Sequence, residues 1–167
     1  MRVLGLDPGL TTTGYGIVER AGGRIRLLAA GALRTSTEAA PAERLADLRT
    51  GVLALIGEHK PAAVATERLF FNRNARTAIS VGQASGVLTA AASEAGLSVT
   101  EYGPLEVKKA VTGVGSAPKS QVQAMVAAVL GLSTAPKPAD AADACALAIC
   151  HLQSAGLSQA LSKAVNR

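Results

Sequence analysis

No stretch of this chain approaches the ~18 uninterrupted apolar residues that a membrane-spanning helix needs. Its first residues, MRVLGLDPGL, lack the basic region and long apolar run of a signal peptide. A cytoplasmic protein with no membrane partner is expected. Cysteine is scarce: Cys145 and Cys150 stand five apart in one expected helix, where their side chains diverge and cannot join in a disulfide. They read as small core residues. Internal repeats and low-complexity linkers are also missing. The 167 residues are therefore expected to form a single domain, since domains typically run ~100 to 150 residues. The tail after about residue 153, where no motif can be read, is expected to be flexible. Hydrophobic residues make up 49% of the chain, which excludes a disordered polymer. Acids are few, at 12 against 17 Lys and Arg, leaving a formal charge of +5. A sequence pI near 9.6 favours an anionic partner, nucleic acid ahead of a membrane surface, with simple solubility charge as the alternative.

What is present begins with strands. Arg2 to Asp7 is a short β-rich run stopped by Pro8-Gly9. Gly14 to Arg20 and Arg24 to Gly31 follow as two more strands around an Ala21-Gly22-Gly23 turn, giving a three-stranded antiparallel meander. From Pro41 the period changes. Leu45, Leu48, Val52, Leu55 and Ile56 recur at three- and four-residue steps, an amphipathic helix that Pro61 follows as a stop. Ala62 to Glu67 is the next strand, and the intervening helix lets it lie parallel to the first strand through a right-handed crossover. A long helix over Asn74 to Ala95, a fifth strand over Leu97 to Tyr102 and three further helices complete the chain. The order predicts a mixed α/β fold, a five-stranded sheet flanked by helices.

That order gathers the scarce acids. Parallel first and fourth strands place Asp7 and Glu67 side by side at their C-terminal ends, where open α/β sheets hold ligands. Strand alternation puts Val3, Gly5 and Asp7 on one face, and Ala63, Ala65 and Glu67 likewise. In PADAADACALAIC, Asp140, Asp143, Leu147 and Cys150 follow a three, four, three spacing, so both Asp residues sit on the apolar stripe of their helix. Each acid alone has an ordinary reading, as a turn opener, a strand-end charge or a helix cap with an acid in its first turn. Four together are harder to explain so, because converging unpaired carboxylates repel and hold protons. A divalent cation reverses that cost. Oxygen donors with no His or Cys companion suit Mg²⁺ or Mn²⁺ rather than zinc. Two such ions ~4 Å apart can activate a water and stabilise the leaving oxygen of a phosphodiester. A basic protein with an acidic metal pocket is coherent as a nuclease.

The segments GLDPGLTTTGYG, ATERLFFNRNARTAISVGQASG, VKKAVTGVGSAPKSQVQAM and DAADACALAI resemble RuvC, the bacterial Holliday junction resolvase family with a ribonuclease H-like fold. The resemblance runs from Met1 to about His151 and rests on four ordered motifs. It implies one ribonuclease H-like nuclease domain over 1–167, with catalytic and metal-binding acids at Asp7, Glu67, Asp140 and Asp143. Some relatives place His at the position of Asp140, so that role is less constant. It further implies Mg²⁺, with Mn²⁺ able to substitute and two ions per subunit. A homodimer that nicks two opposing strands of a four-way DNA junction symmetrically is implied too, in recombination and repair, with RuvA and RuvB as its branch-migration partners.

Phe70 and Phe71, the only phenylalanines, directly follow this acid strand in a segment that turns polar and basic at Asn72, Arg73 and Arg76. Aromatics beside cations hold unstacked bases, at roughly 1–3 kcal/mol per stack, although a single Phe is more commonly a core residue. The resemblance implies that Phe70 wedges into the junction while its neighbour packs inward. It also places Lys108 and Lys119 near the scissile phosphate and backbone; read without it, each is an ordinary solvated charge. Gly82 and Gly86 form a GxxxG spacing that suits either close approach of a second subunit's helix or packing within one subunit. Gly113 to Ser120 ends like a phosphate-binding loop, but Pro118 stands where that motif needs Gly and reads instead as a helix start. Two rivals remain: a non-catalytic module that recognises branched DNA by shape, and an ATP-hydrolysing protein of the actin-like class, whose two-domain architecture needs far more chain.

Overall fold

The computed structural model describes residues 1–69 and 75–165, without the side chains of residues 75–77 and 157–165. Five strands form one sheet in the order β3-β2-β1-β4-β5. They are β1 (Arg2–Asp7), β2 (Thr12–Ala21), β3 (Arg24–Arg34), β4 (Ala63–Glu67) and β5 (Ser98–Tyr102). The first three are antiparallel, and β4 and β5 run parallel to β1. This is the mixed sheet expected from the element order.

The hairpin outruns its expected ends. Pairing continues from Ala21↔Arg24 to Thr12↔Arg34 through a register shift at Ile17/Val18, so β2 starts before Gly14 and β3 passes Gly31. Gly22 and Gly23 both have positive φ, 55° and 78°, the backbone that matches a tight hairpin turn to strand twist. Helix α1 (Pro41–His59) buries Leu48, Val52 and Leu55. Its start is closed by Glu43 reaching back to the Ala40 N–H, and it ends at Lys60 in the left-handed region (φ 48°). Helix α2 (Ala75–Glu94) packs beside α1 on one face of the sheet, over Leu4, Leu6, Ile17 and Val64.

The other face carries α3 (Pro104–Thr112), α4 (Lys119–Leu130) and α5 (Ala139–Val165). Helix α4 begins at Lys119 with Pro118 as its cap, beside the start read at Pro118. Val3, Val18 and Ala65 point toward this layer and pack with Ile149, Leu152 and both cysteines, which are free and buried. The first turns of α5 lie directly on β1 and β2 because glycines there leave no side chain beneath them. A Cβ on Gly5 would run into the Ala144 carbonyl, one on Gly14 into the Asp140 carbonyl, and one on Gly16 into Cys145. Close approach, not turn geometry, requires glycine here. Gly14→Ala is expected to lift the start of α5 and cost about 1–3 kcal/mol, the usual cost of overpacking. Urea unfolding measures it, and an unchanged midpoint would mean that α5 is not seated through this contact.

Candidate active site

The parallel register Val3↔Ala63 through Leu6↔Thr66 brings the last residues of β1 and β4, Asp7 and Glu67, to the same sheet edge. Asp7 faces Gly14 across the antiparallel pair, and that glycine admits the first turn of α5 with Asp140. Asp143 follows one turn on. Asp7, Glu67, Asp140 and Asp143 line one cleft of about 400 Å³, together with Lys108, Lys119 and apolar side chains of α3, α4 and α5. The loop after Asp7 is pinned by buried Thr13, whose hydroxyl donates to the Gly9 carbonyl at 2.8 Å and accepts from the Gly9 N–H at 3.3 Å.

The electrostatics follow from this crowding. Burial first, then the charges of Asp143, Glu67 and Asp140, push the Asp7 carboxyl up to about 7. Glu67 is raised by burial and by Asp143. Against them acts the Lys119 ammonium: Lys119 Nζ lies 2.6 Å from Asp143 Oδ2, and that hydrogen bond raises its own proton affinity. Among the described residues, no three metal-ligating side chains close into a ready-made cluster. The donor set nevertheless fits a hard divalent cation. Its donors are carboxylate oxygens, and Asp7 is buried among like charges that a cation would compensate.

The expected DNA contacts divide. Lys108 and Lys119 share the cleft with the acids. Arg76 falls in α2, with its side chain outside the description. Phe70, Phe71 and Arg73 lie outside the described residues. Two supporting features were missed from sequence. Thr13 belongs to the TTTG segment after the first acid, and only its burial separates it from its two neighbours. Tyr102, opposite Glu67 in the register, turns its hydroxyl to His151 Nδ1 at 3.0 Å, tying β5 to α5. No local signal pairs residues 49 apart.

A mixed five-stranded sheet with acids at the ends of β1 and β4 and in the first turns of a covering helix defines a ribonuclease H-like nuclease fold. A family model for crossover junction endodeoxyribonuclease RuvC matches residues 3–151, and the chain belongs to that family. It is 51% identical to the RuvC of Moorella thermoacetica over 151 residues, 90% of each chain. With the RuvC of Syntrophomonas wolfei it shares 47% identity over 100% of this chain and 97% of that one. The solved structure of Thermus thermophilus RuvC in complex with Holliday junction substrate matches with a TM-score of 0.90 and 41% identity, covering 95% of this chain and 96% of that one. Among the described residues, no helix is long and apolar enough to cross a membrane.

Proposed function

We propose that this chain resolves Holliday junctions by metal-dependent hydrolysis, nicking two opposing strands symmetrically during recombination and repair. The observation that carries the reading is the convergence of Asp7, Glu67, Asp140 and Asp143 on one cleft beside two lysines. Asp7 and Glu67 would anchor the divalent ions, with Asp143 and Asp140 completing the set of carboxylate donors and orienting the attacking water. Bound Mg²⁺ or Mn²⁺, two ions per subunit, would supply water activation and stabilisation of the leaving oxygen. Lys108 and Lys119 hold the backbone near the scissile phosphate. Phe70 enters the opened junction by stacking, with Arg73 and Arg76 completing the DNA contact.

A homodimer suits this substrate, because two-fold symmetry presents two cleavage sites to a two-fold junction. Support comes from α2: a Cβ on Gly86 would meet no described atom within 4 Å, one on Gly82 only the tip of Leu69, and Ile79 on the same stripe is 61% exposed. The GxxxG face is therefore open for a second copy among the described residues. The whole chain acts as one nuclease domain in the cytoplasm, supplied with junctions by RuvA and RuvB.

Cleavage of a synthetic mobile four-way junction, against a linear duplex of matching sequence, tests the reading with Mg²⁺, with Mn²⁺ and with chelator. Paired nicks confined to the junction and dependent on metal are expected. Tight junction binding without nicks under either metal would replace the nuclease with a shape-recognising module.

A further inference from the structure

Lys119 is the cation that the fold itself places in the acidic cleft. Its ammonium pairs with Asp143 at 2.6 Å, and its charge also acts on Asp7, Glu67 and Asp140. The placement works against the helix that carries it. Lys119 opens α4, in the first turn, where the helix dipole disfavours a positive charge, and no acid stands in that turn to offset it. Asp143 on α5 offsets it instead. The lysine side chain is 62% exposed, so it can swing away without unpacking the core. Lys108 lines the same cleft but makes no ion pair within 4 Å among the described residues. The carboxylates, meanwhile, are not closed around a common point among the described residues, and Asp143 is already engaged.

We propose that Lys119 is an exchangeable counter-cation, which a divalent ion must displace from Asp143 before that carboxylate can become a ligand. The inference rests on the metal-centre reading above and adds its regulation. The ammonium leaves still protonated and is freed for a DNA phosphate. By linkage the effect runs both ways: a phosphate that captures Lys119 releases Asp143, so junction and metal each strengthen the binding of the other. The DNA-free protein holds metal weakly, and the competent site assembles on the junction.

Calorimetric titration of Mn²⁺ into the DNA-free full chain tests this, using wild type, Lys119→Met, Lys119→Arg and Lys108→Met. Lys119→Met is expected to bind Mn²⁺ about tenfold more tightly, or about 1.4 kcal/mol. Lys119→Arg should bind no more tightly than wild type, because a guanidinium keeps the carboxylate paired. Lys108→Met removes the same charge from the cleft without releasing a carboxylate, and should change affinity by less than about twofold in physiological salt. Thermal unfolding without metal confirms that each variant is folded. Equal affinity for wild type and Lys119→Met, or equal gains in the two Met variants, would overturn the counter-cation role and leave the metal centre standing. No Mn²⁺ binding by any of the four proteins would overturn the metal centre and the counter-cation together.

Discussion

Asp7→Asn is expected to lower junction cleavage at least about 10³-fold, equivalent to about 4 kcal/mol of barrier, while junction binding, compared in chelator, stays intact. The substitution preserves shape and removes one negative charge from the most crowded point of the cleft, where burial and three neighbouring acids act on a single carboxyl. On the proposed reading this carboxylate anchors divalent cations, a role that a neutral amide cannot fill. Binding should survive because Lys108, Lys119 and the basic surface are untouched, and affinity for a phosphate backbone follows cationic contacts. Single-turnover cleavage and an electrophoretic binding assay on the same junction separate the two effects. Cleavage at the wild-type rate would remove Asp7 from the mechanism. Loss of binding in proportion to cleavage would make it a structural residue instead.

The second large effect is on stability in chelator. Asp7 carries a proton up to about pH 7 in the native state, against 3.8 as its ordinary value, so between those values the folded chain binds more protons there than the unfolded chain does. Stability from this group is fully present below pH 3.8 and is lost as pH rises through about 7. Glu67, also raised, adds in the same direction. At pH 8 without metal, Asp7→Asn should therefore be more stable than wild type by about 2–4 kcal/mol, because each tenfold change in proton affinity corresponds to about 1.36 kcal/mol. Near pH 4 the two should converge, since the wild-type carboxyl is then neutral. Urea unfolding of both proteins across this range measures the difference and cancels the titration of distant groups. A difference independent of pH would show that Asp7 is not buried among like charges. Mn²⁺ at pH 8 should restore stability to the wild type, since a ligand that binds only the native state stabilises it.

Strand and helix identities were legible because period and punctuation agreed. Leu48, Val52 and Leu55 mark the buried side of α1, Pro61 follows it, and the crossover places β4 beside β1. The ends of β2 and β3 were less legible. Hairpin pairing reaches out to Thr12 and Arg34, and the partner strand, not local propensity, decides how far a ladder extends. Asp7 and Glu67 could be paired from topology alone, and Asp140 with Asp143 from helical spacing. The Lys119–Asp143 contact spans 24 residues and two helices, with nothing in either segment to announce it.

By itself, the sequence determined the element order, the four acids and the oxygen-only chemistry, because these depend on residue type and short-range spacing. It also carried the four motifs of a family. Tertiary structure alone decided that glycines at 5, 14 and 16 seat α5 on the sheet and that Tyr102 ties β5 to His151. It decided, too, that the acidic cleft carries its own ammonium. Such contacts depend on how closely helices approach a sheet, a distance set by packing across segments remote in the chain.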